Sequence, residues 1–222
     1  MIYVMSDIHG MKDKYYLIME KIKLKPDDKL YVLGDVIDRG KDGIEILLDL
    51  MERDNATVLL GNHELMMLNA IKPTATMVDI RLWYRNYGNV TYDAFINLPI
   101  EKQKEIHNFI INMPLTAEVM VNSKKYLLVH GAPPELQYRL YSKFIPVRDF
   151  ATWERLNSND KMPKDKTVIF GHTPTDDYQT NNPLSIWHGA DKIGIDCGCG
   201  HPHPACRLAC LRLDDMEEFY SD

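Results

Sequence analysis

The chain has 222 residues, 45% of them apolar and 26% charged, with a formal net charge of −6. That length holds one large domain or two small ones with a sizeable core, and an acidic balance argues against a general nucleic-acid binder, whose surface would be basic. The start shows no basic stretch followed by an apolar core, and no apolar run approaches the ~18 residues a bilayer span needs. The expectation is a cytoplasmic protein with no membrane or nucleic-acid partner.

Ile2-Tyr3-Val4-Met5 reads as a first strand and leads into Ser6-Asp7-Ile8-His9-Gly10. A nearly extended backbone there would point Asp7 and His9 to one side, and a carboxylate with an imidazole at that spacing suits a divalent cation. Over 11–25 the apolar residues Tyr15, Ile18, Met19 and Ile22 recur at helical spacing, and Pro26 stops the pattern. A second buried strand, 30–33, breaks into Gly34-Asp35-Val36-Ile37-Asp38-Arg39-Gly40. Two carboxylates and a guanidinium so close together need a cation and an anion as partners, so metal plus phosphate is the first expectation. Ile44, Leu47, Leu48 and Met51 mark a second amphipathic helix over 43–53, and a third strand, 56–60, ends in Gly61-Asn62-His63-Glu64.

The stretch 65–114 is helical in pattern, and its aromatics Trp83, Tyr84, Tyr87, Tyr92 and Phe95 read as core. It is expected to be a helical insertion forming one wall of the site, within a single domain spanning 1–222. A hairpin turns at Asn122-Ser123, and its second arm ends at His130-Gly131-Ala132; a later strand, 167–170, ends at Gly171-His172-Thr173-Pro174. The last strands are read at 192–196 and 208–213. His188 is expected near the site rim.

Five strand ends thus supply Asp7, His9, Asp35, Asn62, His130 and His172. Two divalent cations about 3.5–4 Å apart can share such a set, with Asp35 bridging. Mixed oxygen and nitrogen donors without thiolate suit Mn²⁺, Fe or Zn²⁺. Each motif alone is weak evidence. Their order on successive strands is strong evidence.

That order closely resembles the calcineurin-like metallophosphoesterases, and within them the compact bacterial and phage form of the phosphoprotein phosphatase family, from Asp7 to about Asp214. The resemblance implies an α/β fold in which a β-sandwich is flanked by helices in α/β/β/α layers. It also implies that Asp7 and His9 hold the first metal, that Asp35 bridges, and that Asn62, His130 and His172 hold the second. His63 would be the general acid and Asp38 its orienting partner, while Arg39 and Arg155 would bind phosphate oxygens. Ala132 and Leu60 depart from the family pattern, which usually has glycine and, in the eukaryotic members, arginine there. The implied activity is phosphomonoester hydrolysis by a hydroxide bridging two metals, on a phosphorylated protein at serine or threonine, with dual specificity that includes phosphotyrosine as an alternative. The rival is symmetrical hydrolysis of dinucleoside polyphosphates, or action on another small phosphorylated substrate.

Cys197, Cys199, Cys206 and Cys210, interleaved with His201 and His203, raise a separate zinc site. The spacing is not that of a finger. Buried or loop thiols are the preferred reading for a reducing compartment.

Overall fold

The structure is a computed structural model and describes residues 1–137 and 144–222. Three parallel strands, β1 (Ile2–Met5), β2 (Lys29–Val32) and β3 (Ala56–Val58), open the first sheet. The crossover helices α1 (Lys12–Ile22) and α2 (Gly43–Met51) connect them. α1 stops at Lys23, whose left-handed backbone lets its N–H reach the Met19 carbonyl. Four helices follow β3: α3 (Asn62–Ile71), α4 (Met77–Arg85), α5 (Gly88–Ile96) and α6 (Ile100–Ile111). They account for the helical pattern read over 65–114. α4 starts at a capping box, in which Thr76 N–H donates to Asp79 at 2.8 Å and Asp79 N–H donates to Thr76 Oγ1 at 3.3 Å.

The hairpin of β4 (Thr116–Val121) and β5 (Lys124–Val129) begins the second sheet, and β6 (Thr167–Phe170) adds in parallel to β5. α7 (Val147–Trp153) lies between β5 and β6 in the chain. β7 (Trp187–His188) and β8 (Lys192–Gly194) complete that sheet, in the order β4-β5-β6-β8-β7. β9 (Ala209–Arg212) and β10 (Glu217–Tyr220) return to the first sheet, giving β10-β9-β1-β2-β3.

Side-chain alternation explains the layering. Val4 on β1 and Tyr126 and Leu128 on β5 meet between the sheets with Ile169, Ile193 and Leu211. Their neighbours Tyr3 and Met5 face the outer helices with Ile18, Leu47 and Met67, while Leu127 and Val129 face outward with Phe150. Each aliphatic side chain buried this way contributes about 1.5–3 kcal/mol relative to exposure. The result is the α/β/β/α arrangement expected from the resemblance.

Among the strands and α-helices described, three were not anticipated. β7 is too short for a periodicity, β10 opens on the charged pair Glu217-Glu218, and α7 is a short helix begun by Pro146. His188 is not at the site rim. It sits on the edge strand β7, with Nε2 2.7 Å from Glu218 Oε1 of β10, where it ties the two sheet edges together. Among the described residues no helix is long and apolar enough to cross a membrane.

Candidate active site

β1, β2, β3, β5 and β6 all deliver their C-terminal ends to one edge of the sandwich, where open α/β sheets bind ligands. Backbone bonds stitch these ends together: Asp7 N–H donates to the Gly34 carbonyl, His9 N–H to that of Asp35, and Gly171 N–H to that of His130. The backbone at Asp7 and His9 is not extended, as the spacing led one to expect. Both residues are left-handed, with φ of 53° and 50°. Asp35, Asp38, Arg39 and His172 share that conformation, so six of the twelve non-glycine left-handed residues described lie at this one edge. Each such backbone costs on the order of 1 kcal/mol and persists only where its surroundings enforce it.

The side chains converge on Asp35, which is 2% exposed. Its Oδ2 lies 3.7 Å from His9 Nε2 and 3.8 Å from His63 Nε2, while its Oδ1 lies 3.4 Å from His130 Nε2. Asn62 Oδ1 stands 2.9 Å from both His130 Nε2 and His172 Nδ1. One carboxylate therefore faces two groups of donors, one at each oxygen. Asp7 borders the first group, with Oδ1 4.0 Å from His9 Nε2 and Oδ2 accepting from Ser6 and from the His172 N–H. All six residues predicted as metal ligands are brought together. Within 4.8 Å of one another, the complete triplets are His9, Asp35 and His63, and Asp35, His130 and His172. By distance alone, His63 competes with Asp7 for the first group.

The charges fit a cationic guest. Burial, then the neighbouring Asp196 and Asp35 carboxylates, raise the Asp7 pKa far above its usual range. Burial also lifts Asp196 to about 6. Burial opposes ionisation of Asp35 too, but His130, His63 and His172 hold its pKa below the ordinary value. Burial drives His9 and His130 down, and His172 to about 3, so these imidazoles are neutral donors. Three buried carboxylates and neutral imidazoles suit divalent cations.

Residues 1–205 match the calcineurin-like phosphoesterase family. The chain belongs to it. Members use two divalent metal ions, and the protein is a metal-dependent phosphatase of that kind. It is 32% identical over 205 residues to serine/threonine-protein phosphatase 2 of Salmonella typhimurium, covering 89% of this chain and 87% of the relative. It is 28% identical over 136 residues to a symmetrical bis(5'-nucleosyl)-tetraphosphatase of Glaesserella parasuis, covering 60% of this chain and 45% of that one. Among solved structures, a putative diadenosine tetraphosphatase aligns with a TM-score of 0.65 at 17% identity, over 99% of this chain and 91% of the other. A cold-active protein-tyrosine phosphatase of a Shewanella species aligns at 0.58 and 18%, over 100% and 80%.

Around the paired donor groups this calcineurin-like enzyme has an open cleft of about 520 Å³, lined in part by Asp35, Arg39, Asn62, His63, Arg155 and His172. His63 Nδ1 is 2.7 Å from Asp38 Oδ2, and its Nε2 faces Asp35. Burial disfavours the His63 cation, but Asp35 and Asp38 outweigh it and raise the pKa. Arg39 Nη1 lies 2.6 Å from His201 Nε2, and Arg155 pairs with Asp177 at 3.5 Å. Ala132 and Leu60 are both buried in the packed core.

Four contributors escaped the sequence reading. Glu64 is fully buried, and its carboxylate accepts the backbone N–H groups of Asp35 (2.8 Å), Val36 (2.8 Å), Ile37 (3.3 Å) and Gly61 (3.1 Å). A glutamate at the third position of α3 was a capping-box signal. Asp196 accepts the Gly198 N–H at 2.9 Å beside Asp7. His201 lies in the cysteine–histidine stretch, whose four thiols are buried and pushed up in pKa by burial. Trp83, read as core, is buried but donates Nε1–H to Asp38 Oδ2 at 2.8 Å.

That indole bond makes Trp83 a positioning residue for Asp38. Trp83→Phe removes one bond to a charged group, worth about 1.5 kcal/mol, and kcat on an alkyl phosphate is expected to fall about tenfold. Steady-state kinetics alongside thermal melts check this. A lowered melting point with unchanged kcat would make the indole purely structural.

Proposed function

We propose that the enzyme is a phosphomonoesterase acting on phosphoserine and phosphothreonine in cytoplasmic polypeptides. Asp7, His9 and Asp35 would hold one ion, and Asp35, Asn62, His130 and His172 the other. Mn²⁺ suits this donor set. When bound, the pair supplies a water of lowered pKa and offsets phosphate charge.

The chain's own residues do the rest. Arg39 and Arg155, both in the cleft lining, bind equatorial phosphate oxygens. His63, not Asp7, is left out of the ligand set, because its Nδ1–H is engaged by Asp38 and its Nε2 carries the proton needed by the departing alkoxide. Asp38 orients and stabilises that imidazolium, and Trp83 fixes Asp38. The observation that carries the reading is this His63–Asp38 pair beside Asp35, facing the same cleft as two arginines. The four free, buried thiols accord with a reducing compartment.

A second reading, symmetrical dinucleoside polyphosphate hydrolysis, draws support from the tetraphosphatase similarity over 60% of the chain. The polypeptide reading draws on a relative matched over 89%.

The test is Mn²⁺-dependent release of product from a phosphoserine peptide and from diadenosine tetraphosphate in parallel. A kcat/KM preference for the peptide, abolished by chelation and restored by Mn²⁺, is expected. Preference for the dinucleotide, with ADP as product, overturns the proposal.

A further inference from the structure

A second cavity, of about 400 Å³, adjoins the catalytic cleft and shares Arg39, Asn86, His201 and Pro202 with it. Tyr87 and Gly200 complete its lining. Tyr87 is 64% exposed and left-handed, with φ of 66° and ψ of 25°. A bulky aromatic in that conformation is a true outlier, and strain retained at a site edge argues for use.

The cause lies in the packing of the insertion. Gly88 starts α5 pressed against the Trp83 indole, where an added Cβ would stand 2.3 Å from Cδ1. Trp83 is itself bonded to Asp38. The turn between α4 and α5 is thus clamped to the catalytic group, and the Tyr87 ring is held out at a set place. Gly200 is equally constrained, since a Cβ there would lie 2.6 Å from His9 Cβ. That part of the lining is bare backbone, with the Pro202 ring next to it.

The two cavities differ in their charged lining. Among the described residues the Tyr87 cavity is lined by Arg39 and by no carboxylate, whereas the main cleft also holds Asp176 and the Arg155–Asp177 pair. A polyphosphate chain would bring negative charge toward Asp176, the aspartate of the two that Arg155 does not pair with. A polypeptide can place a neutral ring on one side and a basic or neutral group on the other.

We propose that the Tyr87–Pro202 cavity binds an aromatic or large apolar side chain flanking the phosphorylated residue of a polypeptide substrate, with Tyr87 setting that specificity. This rests on the phosphopeptide reading above. Stacking on Tyr87 and Pro202 removes apolar surface from water, and Asn86 offers an amide to the peptide backbone.

The experiment measures kcat/KM for phosphoserine peptides that differ only at the flanking residues, with tyrosine, leucine, alanine or aspartate on either side. Wild-type enzyme is expected to prefer tyrosine or leucine over aspartate by about tenfold or more at one flank. In Tyr87→Ala, and in Tyr87→Asn, which suits the left-handed backbone better, that ratio is expected to approach one. Hydrolysis of all peptides without flank preference, or a preference that survives both substitutions, overturns the cavity assignment and leaves the phosphopeptide reading standing. Turnover of an aryl phosphate but of none of the peptides overturns the phosphopeptide reading and the cavity assignment with it. Loss of diadenosine tetraphosphate turnover in Tyr87→Asn, with peptide ratios unmoved, would make the cavity a nucleobase site and also overturns the assignment.

Discussion

Glu64→Ala is expected to abolish stable folding. The carboxylate accepts four buried backbone N–H groups. Leaving a buried donor unsatisfied costs about 1–3 kcal/mol, so the loss is on the order of 4–6 kcal/mol even if water enters the vacated space. That approaches the whole stability of a typical domain, roughly 5–15 kcal/mol. Denaturant unfolding should show the midpoint collapse, with Glu64→Gln intermediate because it keeps one acceptor oxygen. An unfolding midpoint within error of wild type would show that other contacts hold the Asp35 loop against α3.

His63→Asn is expected to separate two kinds of substrate. An alkyl leaving group needs a proton as the P–O bond breaks, and general acid catalysis contributes about 10²–10⁴ in rate. An activated aryl phosphate departs as a stable phenolate and needs little such help. kcat for a phosphoserine peptide should therefore drop by about two to four orders of magnitude, while p-nitrophenyl phosphate should lose less than about tenfold. Equal losses on both would move His63 into the ligand set, as its 3.8 Å approach to Asp35 Oδ2 permits.

Much of this arrangement was legible because strand ends are easy to read. A short apolar run followed by Gly-Asp or Gly-Asn-His marks the place where a buried strand meets the surface, and all six predicted ligands stand at such places. The local geometry was not legible. Alternation at Asp7 and His9 argued for extended backbone, whereas both turn left-handed because β1 ends against the β2 loop, where His9 N–H is taken by the Asp35 carbonyl. Glu64 and Trp83 were passed over for a related reason. Helical spacing shows that a residue points inward, but not that its polar atom meets Asp35 or Asp38 across the fold. β7 and β10 carry too few apolar residues for a period, so the closing of both sheet edges was invisible until His188 met Glu218.

The order of strands in the first sheet also bears on the chain's synthesis. β1, which leads to Asp7, lies between β2 and β9, so its second neighbour is made just over two hundred residues after it, at Ala209–Arg212. Asp7 likewise waits for the His172 N–H, 165 positions later. A chain emerging from the ribosome can pair β1, β2 and β3, yet it exposes one long side of β1 until β9 appears. Contacts so distant in sequence close slowly. The strand that leads to Asp7 therefore gains its second neighbour only after every candidate ligand has been made, and a chain that stalls before β9 presents an open strand edge, ready to pair with other chains.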